Sequence, residues 1–271
     1  MSATNARNCL IDPHVHLHPG TDPGGMLTAA AGHMDRAARK LGLSARPPCM
    51  LVLTETAGLD RFADLQGTFG DWQITPTLED ITCLAQPANG GPPIAITSGR
   101  QIVTAEGLEV HALGTRQHIA DGPPIRDVLA EVARHGALAV LPWGVGKWSG
   151  ARGRIIADLI AGTKDPQAFC LADSGVRPGL MARPALLAEA EARGIRVLAG
   201  SDPLPLPSEA GKAGRFGFIA HHDFDADRPF TALRAWLDGL EGSPEVYGDL
   251  ERPIAFLSAQ IAMQIRKRLR R

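Results

Sequence analysis

Short apolar runs alternate with amphipathic stretches along almost the whole chain, and this alternation constrains the fold more than any other feature. The runs have the length of buried strands, and the stretches between them carry apolar residues at helical spacing. The predicted strands are residues 8–12, 50–54, 94–97, 101–104, 108–113, 137–141, 169–172 and 196–199. The predicted helices are residues 26–41, 125–135, 152–161, 185–193, 230–240 and 253–271.

Strand–helix alternation predicts parallel strands joined by right-handed crossovers. A TIM-like barrel built from such units has about 250 residues, so it accounts for the whole chain, residues 1–271, as a single domain. An open, doubly wound sheet produces the same alternation. In both folds functional groups collect at the C-terminal ends of the strands, so the residues that follow each strand are the candidates for a site.

Composition narrows the class of protein. Aromatic residues make up only 5% of the chain, so the core must rest on Ala, Leu, Ile and Val. The formal charge of −1 gives no net attraction to nucleic acids or membranes, and neither is expected as a partner. The four cysteines lie far apart, which predicts buried thiols in place of disulfides or a zinc knuckle. The first residues lack the apolar segment of a signal peptide, so we expect a cytoplasmic protein.

The segment IDPHVHLHPG follows the first predicted strand directly. Because successive side chains of an extended segment point to opposite faces, His14, His16 and His18 share one face. Neutral imidazole is a good ligand for zinc, iron or manganese. His14 and His16 are therefore predicted metal ligands, while His18 is either a further ligand or a hydrogen-bonded histidine of the strand end.

A second group of polar residues follows the last predicted strand, within residues 198–218. Asp202 comes two residues after Gly200, where a carboxylate can bind a metal ion or take a proton from metal-activated water. The alternative is a turn aspartate, because Ser-Asp-Pro commonly forms turns. Lys212 and Arg215 lie on a glycine-rich loop, and they either hold an anion or are solvated surface charges.

Further candidates follow the middle strands. Glu109 and His111 share a strand face, and His111 is either a third imidazole ligand or a histidine of the core. Glu55 follows the second predicted strand and is a candidate ligand or catalytic base, with helix capping as the alternative. Arg177 and Arg116 are candidates for binding a phosphate or carboxylate, which a guanidinium matches in shape and charge.

Two other segments complete the pattern. Trp143, Lys147 and Trp148 follow the strand at residues 137–141 and are predicted to line the pocket. The basic C-terminal sequence RKRLRR continues a helix with apolar residues at helical spacing. Cations at a helix C-terminus complement the helix dipole, so this tail does not indicate nucleic-acid binding.

These segments, in this order, resemble the polymerase and histidinol phosphatase (PHP) family of metal-dependent hydrolases. The family's His-x-His after strand one is matched by His14 and His16, and its terminal Gly-Ser-Asp-x-His by GSDPL, which contains Asp202. Thr54-Glu55-Thr56 is similar to a strand-two motif of Thr-Asp-His type, and GLEVHALG followed by ALAVLPW is similar to the middle section. The resemblance spans about residues 10–220 and implies an α/β fold, a distorted TIM-like (β/α)7-8 barrel.

The chain departs from the PHP pattern at several ligand positions. Thr56, Trp143 and Leu204 stand at or near family histidines, and Gln101 lies near an expected glutamate. The remaining ligands suffice for one metal ion or a loosened pair, not for a three-metal site. A His-x-His with a late aspartate also resembles the amidohydrolase superfamily, although Lys147 follows its strand where that family has a lysine within strand four.

The resemblance and the residues together predict a metal-dependent hydrolase acting on a small anionic substrate, first of all a phosphoester. The expected cofactor is a divalent metal ion (zinc, manganese or iron) held by His14, His16 and Asp202 with His111 assisting. Asp202 and Glu55 are the predicted catalytic carboxylates. The alternatives are an amide or lactone hydrolase and a catalytically degenerate barrel that only binds a ligand. The sequence does not predict the oligomeric state.

Overall fold

A computed structural model describes residues 8–269 of the chain, which form two β-sheets flanked by helices. The strands are β1 (Cys9–Val15), β2 (Cys49–Leu53), β3 (Gly67–Phe69), β4 (Trp72–Pro76), β5 (Thr82–Pro87), β6 (Ile94–Thr97), β7 (Gly99–Val103), β8 (Glu109–Leu113), β9 (Leu138–Pro142), β10 (Cys170–Ser174), β11 (Val197–Gly200), β12 (Phe216–Ala220) and β13 (Val246–Gly248). The helices are α1 (Pro23–Lys40), α2 (Ile125–Arg134), α3 (Ala151–Gly162), α4 (Ala185–Glu191), α5 (Pro229–Asp238) and α6 (Pro253–Leu269), with a short 3₁₀ helix at Pro207–Lys212.

The predicted TIM-like (β/α)7-8 barrel is wrong. The strands of the described residues divide into an eight-stranded sheet of order β13-β12-β1-β2-β6-β5-β4-β3 and a five-stranded sheet of order β11-β10-β9-β8-β7, without a closed barrel among them. Seven of the eleven strand pairings are antiparallel. The fold is therefore a mixed α/β architecture with two sheets.

The error has a physical cause. Apolar periodicity shows that a strand is buried, but it does not encode the direction of the neighbouring strand. Parallel crossovers do occur where they were expected, in β1–α1–β2 and in β9–α3–β10–α4–β11. By contrast, β7 and β8 form a hairpin, and β3, β4, β5 and β6 form an antiparallel meander. Short turns join these antiparallel strands, so no helix marks them in the sequence. The antiparallel pair β8 and β9 is instead joined through α2, which makes it look like a parallel unit.

The helices were predicted more accurately than the strands. All six α-helices agree with the predicted ranges to within three residues at each described end; Arg270 and Arg271 of the last prediction, like residues 1–7, lie outside the described residues. Strands β3, β4, β5, β12 and β13 were not predicted, since some are only three residues long and β12 lies in the segment interpreted as a glycine-rich loop. Within the described residues, no helix is both long and apolar enough to cross a membrane.

Three apolar clusters hold the layers together. Side chains alternate along β1, so Leu10 enters the cluster beneath α1 while Cys9 and Ile11 enter a cluster shared by both sheets and α5. A third cluster packs α2, α3 and α4 against the five-stranded sheet. The four cysteines are free and buried, as predicted.

The two sheets approach each other along two seams. At one seam, the backbone N–H of Asp202, just after β11, donates to the carbonyl oxygen of His14 in β1 (2.9 Å). At the other, Glu55 donates to Gly99 (3.1 Å) and accepts from Gln101 (2.8 Å) through backbone groups. The seams bring the ends of β1, β2, β7 and β11 close to one another, and the candidate site lies there.

Candidate metal centre

The end of β1 carries a row of histidine rings. His14 is a buried residue of the strand, and His16 and His18 follow it. The Nε2 atoms of His14 and His16 lie 3.1 Å apart. The ring of His16 stacks on that of His18, with centroids 5.2 Å apart. The three rings therefore lie together, as the two-residue period of an extended segment predicted.

Asp202 meets these rings from the loop after β11. Its Oδ1 lies 3.3 Å from Nε2 of His14 and 3.5 Å from Nε2 of His16, and its Oδ2 accepts a hydrogen bond from the Ser174 hydroxyl (3.0 Å). Asp202 is the one non-glycine residue with positive φ (53°) in the described chain. That conformation costs on the order of 1 kcal/mol. The hydrogen bond from its N–H to His14 helps to hold the loop in this geometry.

Gly200 allows the two ligand-bearing segments to approach closely. A Cβ atom at this position would lie 2.6 Å from Cβ of His14, which is closer than side-chain carbons approach in proteins. Any other residue would push β11 away from β1 and separate Asp202 from the histidines. The glycine of the Gly-Ser-Asp sequence is therefore required for steric reasons.

Asp12 lies beneath both ligand segments and was not identified from the sequence. It is fully buried and accepts hydrogen bonds from the backbone N–H groups of His14 (3.2 Å), Ser201 (2.9 Å) and Gly214 (2.7 Å), and from the Ser201 hydroxyl. Burial raises the pKa of Asp12 to about 6, although these donors act to lower it. One carboxylate therefore fixes the backbone beside His14 and the backbone beside Asp202. The available signal was an acidic residue within an apolar strand.

The three converging side chains fit a divalent metal ion. Within residues 8–269, one group of three potential ligands has ligand atoms that converge, and it consists of His14, His16 and Asp202. Their ligand atoms are 3.1, 3.3 and 3.5 Å apart. A tetrahedral site with bonds of about 2.0–2.1 Å has ligand-to-ligand edges of about 3.3 Å. Two imidazoles and a carboxylate suit zinc, iron or manganese and leave a position for water or substrate.

The surroundings of His14 and Asp202 also favour the protonation states that metal binding requires. Burial lowers the pKa of His14 to about 3, so this imidazole is neutral. Burial opposes ionisation of Asp202, but the imidazoles of His14 and His16 and the ammonium of Lys147 outweigh it and hold the pKa of the carboxyl well below its usual range. A neutral imidazole and an ionised carboxylate are the forms that bind metal ions.

His111 and His18 border the ligand cluster. The His111 ring packs edge-on against His14 with centroids 4.2 Å apart, and its Nε2 lies 3.3 Å from Oε1 of Gln101. The His18 Nε2 donates to the Pro203 carbonyl oxygen (3.0 Å). Both contacts engage nitrogen atoms that would otherwise be available as ligands. The Nδ1 atoms of His14 and His111 are buried and have no hydrogen-bond partner among the described residues.

Two other predicted site residues lie at the turn after β2: Glu55 is part of this turn, and Arg116, which follows β8, contacts it. The Glu55 carboxylate accepts the backbone N–H of Phe62 (3.2 Å) and pairs with Arg100 (3.4 Å). Arg116 is exposed, lies 3.7 Å from Asp60 and covers the Phe62 ring at 5.5 Å. In this structure the Glu55 carboxylate is engaged by the turn and by Arg100, although no helix begins there, and Arg116 pairs at the surface.

The remaining predicted anion-binding residues are paired within the protein. Arg177 forms two parallel hydrogen bonds with Asp173 (2.9 and 2.7 Å). Lys212 and Arg215 both contact Glu251, with Arg215 at 3.1 Å. These three cations are consequently balanced by buried carboxylates.

A cavity of about 620 Å³ opens beside Asp202. Lys147 and Glu109 line it, with Nζ of Lys147 2.5 Å from Oε2 of Glu109. Of the three residues predicted to line the pocket, Lys147 lines this cavity, whereas Trp143 and Trp148 do not. Trp143 is buried, and Trp148 packs against the apolar cluster of the five-stranded sheet. A larger groove of about 860 Å³, between α1 and the β4–β5 hairpin, contains none of the converging ligands.

No protein-family model and no curated protein matches the chain, so the comparisons support neither the PHP nor the amidohydrolase resemblance. Five solved chains match it. One of them is the crystal structure of PsfC from Pseudomonas syringae PB-5123, which is 14% identical with a TM-score of 0.51 over 95% of this chain and 98% of PsfC. At this identity, the likeness concerns the fold alone: an architecture of this kind, over nearly the full length, exists among solved proteins.

Proposed function

We propose that the chain is a metal-dependent hydrolase that cleaves a small phosphoester beside His14, His16 and Asp202. The observation that carries the proposal is the convergence of three ligand atoms at spacings of 3.1–3.5 Å, the edge lengths of a tetrahedral metal site. The neutral state of His14 and the ionised state of Asp202 support it further.

Each residue of the site has a defined part in this proposal. His14, His16 and Asp202 would hold a zinc, manganese or iron ion, which supplies Lewis acidity toward water and toward a phosphoryl oxygen. Lys147 would attract the anionic group of the substrate, because its side chain lines the cavity beside Asp202. Glu109 is the second carboxylate that lines the cavity and would accept the proton, although its Oε2 also pairs with Lys147.

The proposal includes a reducing compartment such as the cytoplasm. All four cysteines are buried and unpaired, as expected for a protein that does not encounter an oxidising environment. The chain as a whole carries almost no net charge, so the attraction of an anionic substrate is assigned to the local charges of the cavity.

Elemental analysis of protein purified without a histidine tag tests the premise, and roughly one divalent ion per chain is expected for a site with three protein ligands. The metal-loaded protein is then assayed on phosphomonoesters, phosphodiesters, amides and lactones, with chelation and metal replacement as controls. Hydrolysis of phosphoesters that is lost on chelation and restored by metal is the expected result. A metal-free protein with no metal affinity overturns the proposal, activity confined to amides or lactones overturns the substrate class, and metal binding without turnover indicates a ligand-binding protein.

A further inference from the structure

The cavity beside Asp202 is too large and too apolar for a small phosphoester alone. We infer that the substrate is an anion with an apolar tail, whose head group lies at the metal-ligand cluster and whose tail packs against α6. The inference rests on the proposed function and specifies its substrate class. A volume of about 620 Å³ lies in the middle of the range of about 300–1,000 Å³ that is typical of ligand pockets, whereas an isolated phosphate group fills only a small part of it.

The charges of the cavity favour an anionic head group. Among the described residues that line it, the cations Lys147 and Arg266 balance the carboxylates of Glu109 and Asp202. A divalent ion held by the ligand cluster therefore leaves the cavity net positive. Lys147 and Arg266 enter from different elements, the loop after β9 and helix α6, so positive charge lies on more than one side of the cavity.

The rest of the lining favours an apolar tail. The loops after β9, β10 and β11 each contribute apolar side chains next to the polar end, and α6 contributes two more. These side chains are Val145, Val176, Leu204, Phe256 and Met263. Val145 remains 40% exposed although it is a large aliphatic residue, so a bound tail would remove apolar surface from water.

Helix α6 provides this wall with one of its faces. Phe256 and Met263, seven residues apart, face the cavity, and Ala259 between them is buried. Leu257 and Ile261 lie on the outer face and are 59% and 62% exposed. The helix thus carries apolar residues both on an inner face that lines the cavity and on an outer face that does not. Substitutions on the outer face are therefore a matched control for substitutions on the inner face.

A series of alkylphosphonates from methyl to hexyl tests the inference, because the carbon–phosphorus bond is not an ester and the probes stay intact during calorimetry. Titrated into the metal-loaded protein, they should bind about two- to four-fold more tightly for each added methylene group, hence at least about 30-fold more tightly over the series. The double variant Phe256→Ala, Met263→Ala should lose most of this gain and keep its affinity for methylphosphonate. The control Leu257→Ala, Ile261→Ala should behave like the unmodified protein.

The outcomes separate this inference from the proposed function. Affinity that does not depend on alkyl chain length overturns the inference even if phosphoesters are hydrolysed. The inference is also overturned if both double variants lose the chain-length dependence of affinity to the same extent. Affinity that rises with chain length in a protein without hydrolytic activity supports the tail site and counts only against the proposed reaction. The titration of alkylphosphonates into the unmodified protein tests the inference even if the Phe256 variant fails to fold.

Discussion

Two clusters of ionisable side chains lie near strand ends in this fold, and they differ in how their charges are matched. In the first, Lys212 and Arg215 converge on Glu251, so each cation has a carboxylate partner. In the second, His14, His16 and Asp202 turn electron-pair donors toward one shared volume, and no cation stands among them. Only in the second cluster do three ligand atoms converge on one point without a cation between them. This convergence separates a candidate metal site from a structural ion-pair network.

The largest expected effect comes from removing the metal ligands His14 and His16 themselves. The double variant His14→Ala, His16→Ala should lower metal affinity by at least about 1,000-fold, because one carboxylate remains and loss of a mere outer-shell partner already costs about 10–100-fold. Metal content by elemental analysis and the unfolding midpoint measure the two consequences. The exposed His118 gives a control, His118→Ala, that should retain the metal. Equal metal loss in both proteins would contradict the assignment of the ligands.

The ion-pair cluster should show the opposite behaviour. Glu251→Ala leaves Lys212 and Arg215 without their common partner, and it should lower the free energy of unfolding by about 3 kcal/mol, the cost of breaking a buried pair. Metal affinity should stay unchanged. Denaturant unfolding and metal titration of the folded variant check both statements. If the variant loses the metal while folded, the two clusters are coupled and the distinction drawn between them fails.

A smaller effect is expected at Asp12, which holds the backbone beside the metal ligands without being a ligand itself. Asp12→Asn keeps the side-chain volume but replaces one acceptor oxygen by a donor, so it should reduce metal affinity about 10-fold. It should also lower the free energy of unfolding by about 1–3 kcal/mol. Glu79→Gln is the matched control, because Glu79 is a buried carboxylate that accepts backbone N–H groups at the start of α5, among them that of Phe230 (3.0 Å).

The comparison of these two variants isolates the positioning role. At equal loss of stability, only Asp12→Asn should weaken metal binding in the folded protein, as measured by competition with a chromophoric chelator. If the two variants weaken binding to the same extent, Asp12 contributes only general stability.

The smallest effect is expected at the surface. Arg116→Ala removes an exposed pair with Asp60 at 3.7 Å, and it should change the free energy of unfolding by less than about 1 kcal/mol, with no change in metal content or in affinity for methylphosphonate. A loss of methylphosphonate affinity would restore Arg116 as an anion-binding residue, which the sequence had suggested.

The sequence predicts local features of this protein well and long-range ones poorly. Helical periodicity depends on neighbours within two turns, so the sequence predicts the six helices. The two-residue period of an extended segment likewise predicts that His14 and His16 lie together. Strand direction depends on partners distant in the chain. The hairpin of β7 and β8 therefore went unpredicted, and the barrel was wrong.

The same reason explains the errors within the site. Arg215 looked like an anion-binding residue because its partner, Glu251, is distant in sequence and carries no motif. Asp12 was overlooked because its role depends on Ser201 and Gly214, which fold back from the far end of the chain. Asp202 was found because its position directly after a strand is itself a local signal.

The attachment of α6 has a consequence for how such a protein changes over evolutionary time. The donors come from β1 and from the loop after β11, in the interior of the fold, whereas Phe256 and Met263 come from the last seventeen-residue helix. Among the residues of that helix with described burial, Ala259 is the buried one. Mutations there disturb little of the core, so new substrate preferences can arise in α6 while the metal ligands of β1 and of the loop after β11 are inherited unchanged.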